Sequence, residues 1–137
     1  VQTTFTLQTS GPGLYDFTSE VARWVSEGPG EGLLTLFVRH TSCSLLIQEN
    51  ADPDVQRDLL AWLQRFVPDA DRPEMSYLTH VTEGPDDMPA HIKAAHLPVS
   101  LQIPVMNRRM RLGTWQGIYL FEHRARPHRR EVAAHLA

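Results

Sequence analysis

Near the N-terminus Phe5 and Leu7 alternate with Thr4, Thr6 and Gln8, a pattern that predicts a half-buried strand. Gly11-Pro12-Gly13 breaks it. Val21, Trp24 and Val25 then fall at helical spacing from Phe17, with Asp16 or Thr18 as the N-cap. After a second break at Gly28-Pro29-Gly30, the run Leu33 to Val38 is apolar on both parities and predicts a central strand covered on both faces. A strand resumes from Ser44 to Gln48. Next come Asp52 as a cap, Pro53 at the first helical position, and a stripe of Val55, Leu59, Trp62, Leu63 and Phe66, which predict a helix closed by Pro68. A shorter helix should run from Asp87-Met88-Pro89 to about His96. Val99 to Met106 and Arg109 to Arg124 read as two strands joined by a tight turn at Asn107-Arg108. The sum is one α+β domain spanning residues 1–137, with a mostly antiparallel β-sheet and two to three helices.

Composition narrows the function classes. A chain of 137 residues with 42% apolar content has enough sequence for one core. It holds no apolar run long enough for a transmembrane helix, and its first residues lack a signal-peptide layout. One cysteine excludes an internal disulfide framework and fits a reducing cytoplasm. A net charge of -3 argues against a nucleic-acid partner. The basic stretch from Arg124 to Arg130 is short and broken by Pro127, and reads as a solvated tail.

The chemistry gathers in three stretches that carry four of the seven histidines. His40 continues the inward parity of Leu34, Leu36 and Val38 to the strand's end, where it either lines a site or has its ring satisfied by the backbone. Thr41 and Ser42 beside it can hold an anion or stabilise a turn. From His80 to His91, imidazoles alternate with the acids Glu83, Asp86 and Asp87, and Gly84-Pro85 turns the chain back so that His80 approaches the next helix. Asp87 and His91 are four apart and share a helical face, whereas Lys93 lies about 200° round from His91. The competing role for Asp86 or Asp87 is to cap that helix. In the last stretch Glu122 and Arg124 share a parity and can pair, and Trp115 suits core or interface. Cys43, between two serines, is better read as a small buried residue than as a nucleophile.

The motifs His40-Thr41-Ser42, Ile47-Gln48-Glu49-Asn50, Glu83 to Lys93, and Leu112 to Ile118 with Glu122-His123-Arg124 together resemble the YjbQ-like family, whose members are often labelled secondary thiamine-phosphate synthases. The resemblance runs over nearly the whole chain. It implies an α+β fold, a homotrimer with clefts between subunits, and a divalent metal held by His40, His80 and His91, zinc fitting such a set better than magnesium. The family label implies that a pyrimidine pyrophosphate alkylates a thiazole phosphate and releases pyrophosphate. This sequence departs from the family pattern at Cys43, where a small residue such as alanine is usual, and at Asn107-Arg108, where a glycine is usual.

The expectation is therefore a metal-binding enzyme acting on a phosphorylated small molecule. Glu49 would be its general base and Asp87 or Glu83 would support the metal, with Thr41, Ser42, Asn50, Lys93 and Arg124 on the substrate and its phosphate. Two other classes compete with it. One is a trimeric phosphate- or metabolite-binding module without turnover. The other is a structural trimer whose polar residues satisfy one another at subunit interfaces.

Overall fold

A computed structural model describes residues Val1–Ala137. In chain order the elements are β1 (Gln2–Thr9), β2 (Gly13–Asp16), α1 (Thr18–Ser26), β3 (Glu31–Val38), β4 (Cys43–Glu49), α2 (Pro53–Phe66), a 3-10 turn (Pro73–Met75), α3 (Asp87–His96), β5 (Ser100–Met106), β6 (Arg109–Met110), β7 (Gln116–Glu122) and β8 (His128–Leu136). All strand pairs are antiparallel, and they form a five-stranded sheet ordered β1-β8-β3-β5-β6 and a three-stranded sheet ordered β2-β7-β4. The α+β class with mostly antiparallel sheets is as the periodicity predicts.

The two sheets bury their facing sides against each other. Leu34, Leu36 and Val38 of β3, Ile103 and Val105 of β5, and Val132, Ala134 and Leu136 of β8 meet Cys43 and Leu45 of β4 and Ile118 and Leu120 of β7. Helix α1 adds Phe17, Val21 and Val25 to the same cluster. On the far side of the small sheet, Gln56 of α2 donates to the Tyr119 hydroxyl and α3 packs on β4. Strand β7 thus lies between two layers, which is why Gly117 to Glu122 are all buried.

Four local expectations need correction. The segment Arg109 to Arg124 is two strands in different sheets: β6 pairs with β5, and β7 pairs with β2 and β4. The change occurs around Gly113, whose N–H donates to the Gln116 side chain at 2.8 Å. The basic stretch is no solvated tail, because β8 begins at His128 and lies between β1 and β3. There Arg130 joins Val132, Ala134 and Leu136 in the inward row. Strand β3 is central but covered on one face only, leaving Leu33 and Phe37 exposed on the open face of the large sheet. The stripe on α2 buries little beyond Leu63, while Trp62 and Phe66 stack on each other in solvent with ring centroids 5.0 Å apart.

The caps are close to the reading. Asp52 accepts the Asp54 N–H at 2.9 Å with Pro53 opening α2. Asp16 accepts both the N–H and the hydroxyl of Thr18, although Phe17 occupies the N-cap position of α1. At the β5–β6 turn Asn107 and Arg108 have φ of 55° and 59°, the left-handed pair of a two-residue hairpin, reached without the usual glycine.

Candidate metal centre

Local chain geometry assembles the cluster. Gly84 has φ of 102°, a conformation that side-chain-bearing residues rarely adopt, and the bend returns the chain so that α3 starts beside His80. His80 Nε2 then donates to Asp87 Oδ2 at 2.8 Å, with Glu83 Oε2 at 3.1 Å from the same nitrogen. One helical turn further, His91 Nε2 lies 3.4 Å from that same Asp87 oxygen. One ligand atom from each of His80, Asp87 and His91 lies within 4.8 Å of the others, a grouping able to hold a metal ion.

Each donor is oriented by a neighbour. His91 Nδ1 donates to the Thr41 carbonyl at 3.0 Å, which leaves Nε2 as the free lone pair. Arg124 Nη1 donates to Asp87 Oδ1 at 2.7 Å, which leaves Oδ2 to face the imidazoles. The same guanidinium donates through Nε to Asp86 Oδ2 at 2.9 Å and through Nη2 to the Glu83 carbonyl at 3.2 Å. Burial alone would raise the Asp87 carboxyl, but the His80 hydrogen bond and the Arg124 charge outweigh it and hold it below the usual carboxylate range. The hydrogen bond to Asp87 in turn raises His80.

Neither aspartate caps α3. Asp86 occupies the N-cap position without a side-chain cap bond, and its carboxylate accepts from Arg124 and from the Ala125 N–H at 2.8 Å. Both acids are thereby tied to the end of β7.

Other expected site residues lie elsewhere. Within one chain His40 is not part of the cluster: its Nε2 accepts the Glu131 N–H at 2.8 Å, the backbone-satisfied alternative. Burial and the nearby Arg130 charge lower its affinity for a proton. Glu49 and Asn50 sit at the end of β4 opposite Thr41, with Glu49 about 20 Å from Cys43 at strand rise. There Glu49 accepts the Asp52 N–H and Asn50 donates to the Thr114 and Gln116 carbonyls. Ser42 is buried, and its hydroxyl accepts from Arg130 at 3.0 Å. Thr41 stays exposed and meets the cluster through its carbonyl. The side chain of Arg124 is already spent on Asp86, Asp87 and the Glu83 carbonyl, so it positions acids rather than waiting for a phosphate. Trp115 is exposed and thus not core. Lys93 faces away from His91, as its place on the helix requires, and is buried.

Two buried polar assemblies escaped the sequence reading. Glu122 accepts from Arg130 Nε and from the Thr9 hydroxyl, both at 2.7 Å. His123, whose imidazole burial pushes down to about 3, shares a hydrogen bond of 2.9 Å with Ser44. The alternation of Arg130 with Val132, Ala134 and Leu136 was the available signal for the first. Nothing local marks the second. Cys43 is buried, and its thiol is pushed up to about 12 by that burial, so it supplies no thiolate near neutrality.

A family profile described as "UPF0047 protein YjbQ-like" matches residues 3–137. The chain belongs to the YjbQ-like UPF0047 family. It is 50% identical to the UPF0047 protein sll1880 of Synechocystis over 132 residues, covering 96% of this chain and 87% of that one. It is 42% identical to the UPF0047 protein YjbQ of Escherichia coli O157:H7, covering 98% and 96%. The fold superposes with a TM-score of 0.86 on an uncharacterized YjbQ/UPF0047 family protein from Clostridium acetobutylicum, 36% identical, covering 98% of this chain and 99% of that one.

Proposed function

We propose that this YjbQ-like protein is a divalent-metal enzyme whose substrate is a phosphorylated small molecule, with His80, Asp87 and His91 as the ligand set. The observation that carries the reading is the convergence of two imidazole nitrogens and one carboxylate oxygen, each turned toward a common point by Thr41 or Arg124 or by the tight Gly84 turn. Three protein ligands of this kind suit zinc and leave coordination open, as catalytic sites do. A bound divalent ion there supplies a Lewis acid for a phosphoryl oxygen and acidifies a coordinated water.

The residues of the chain do the rest. Asp87, buried and held by Arg124, fixes the position of both imidazoles. Glu83, with its carboxylate 3.1 Å from His80 Nε2 and exposed to solvent, is placed to accept a proton at the edge of the site. It takes the role expected of Glu49. The exposed Thr41 hydroxyl is the candidate contact for a substrate phosphate. A thiamine-phosphate-forming reaction belongs to this class, because loss of pyrophosphate needs the same neutralisation of charge.

We also propose that the chain works as a homotrimer. In support, Leu33 and Phe37 lie exposed on the uncovered face of the large sheet.

Elemental analysis of the purified protein by plasma mass spectrometry tests the metal reading. We expect near-stoichiometric zinc or another transition metal, lost in the His80→Ala/His91→Ala variant and retained in Glu49→Ala. Equal metal content in wild type and the double variant, or none in either after incubation with excess zinc, would sink it.

A further inference from the structure

On the side of α3 turned away from the metal cluster lies a cavity of about 640 Å³. That volume suits a small metabolite. Its walls include Gln64 and Arg65 at the end of α2, Asp69 in the loop that follows, Lys93 of α3, and His123 at the end of β7. Asp86 forms part of the wall shared with the metal site, and its carboxylate is already taken by Arg124 and the Ala125 N–H.

Two buried side chains in this cavity each keep a nitrogen without a protein partner. Lys93 is only 5% exposed, yet its ammonium makes neither a hydrogen bond nor an ion pair; the charges of Asp69 and Asp86 reach it only from beyond pairing distance. His123 is 2% exposed and uses Nε2 on Ser44, leaving Nδ1 unpaired. No fully sealed polar atom of the chain lacks a partner, so Lys93 Nζ and His123 Nδ1 must open onto the cavity. An oxyanion at Nδ1 requires the tautomer in which the Ser44 hydroxyl donates to Nε2 and the imidazole presents its N–H outward from Nδ1. The Lys93 ammonium has no counter-ion within pairing distance, and an anion in the cavity would supply one.

We propose that this cavity is a second ligand site, in which Lys93 Nζ and His123 Nδ1 together hold the oxyanion group, carboxylate or phosphate, of a small metabolite. The rest of the charged lining sets Arg65 and Arg72 against Asp69, Asp71 and Glu74, with Arg72 already 3.9 Å from Glu74, and this balance opposes a polyanion and restricts the site to a compact group of low charge. The site is independent of the metal reading. Asp86 lines the cavity and is bound by Arg124, the guanidinium that also holds Asp87, while His91 and Lys93 project from different faces of one helix.

Nitrogen NMR of the histidine side chains tests this during titration with acetate and, separately, with inorganic phosphate, at constant ionic strength. We expect the His123 nitrogens to shift saturably with at least one of the two ions, and the arm that saturates identifies the group. Lys93→Met, which keeps the stem and removes the charge, should weaken that binding at least about tenfold. The His80→Ala/His91→Ala variant should bind as wild type does, so a failed metal site leaves this result intact. Wild-type His123 nitrogens that do not respond to either ion would overturn the proposal without need of any variant. So would affinity unchanged in Lys93→Met, or binding lost with the metal-site histidines.

Discussion

Glu122 and Arg130 are both buried, and each stands on a different strand pointing into the same interior. Burial alone would raise the Glu122 carboxyl, but Arg130, the Thr9 hydroxyl and the Arg124 N–H outweigh it and hold it low. Removing one partner of such a pair strands the other as an uncompensated charge. We therefore expect Arg130→Met to lower stability by about 3–5 kcal/mol in urea titrations; a loss below about 1 kcal/mol would mean the pair is dispensable. The depressed Glu122 stabilises the fold above its ordinary value of 4.5, and that contribution is lost as pH falls through the folded value. His123 acts in the same direction over a higher window. Its ordinary value is 6.5 and its folded value about 3, so between them the unfolded chain binds a proton that the folded chain refuses. Stability then falls on acidification by up to about 1.4 kcal/mol per pH unit from this residue. His123→Gln, which can still pair with Ser44 but does not titrate, should flatten the decline between pH 6.5 and 3 in acid titrations followed by circular dichroism. An unaltered slope would show that the imidazole protonates freely.

At the scale of elements, short-range signals were legible. Asp52, Pro53 and the run after them specify the start of α2, and the Asp52 carboxylate on the Asp54 N–H is the cap bond that stabilises it. Asp52→Ala should cost about 1 kcal/mol by thermal or chemical melts, and no measurable cost would assign the start to Pro53 alone. The His80 to His91 cluster was legible for the same reason: its members lie within one loop and one helical turn, so Gly84 and the i, i+4 spacing place them together. His40, grouped with them through the family resemblance, lies with the backbone of β8 instead. The division of Arg109 to Arg124 into β6 and β7 was not legible, because a segment that serves two sheets looks like one strand until the sheets exist. Strand β2 is four residues long and leaves too little alternation to notice.

The whole molecule has a closed side and an open one. The small sheet is covered by α2 and α3, whereas the outer face of the large sheet carries Leu33, Thr35 and Phe37 with no element over them. If the proposed trimer uses this face, sedimentation should give three times the 15.6 kDa of the chain, and Phe37→Asp should shift it to smaller species while the circular dichroism holds. A monomer at micromolar concentration would remove the trimer from the functional reading, and an undiminished trimer in Phe37→Asp would move its interface elsewhere. No helix is long and apolar enough to cross a membrane.

By itself the sequence determined the mostly antiparallel α+β class, the two Gly-Pro-Gly breaks, the N-terminal cap of α2 and the compact histidine–carboxylate cluster, because caps, alternation and helical spacing act between residues a few positions apart. Only the tertiary structure decided that Arg130 is a buried partner of Glu122, that β3 has an open face, and that Lys93 and His123 meet at one cavity. Those outcomes depend on which strands pair and which sheet faces which. Pairings such as Ser44 with His123 join residues 79 positions apart. Periodicity can say that such residues face inward, but the partner they find there is set by how the layers close.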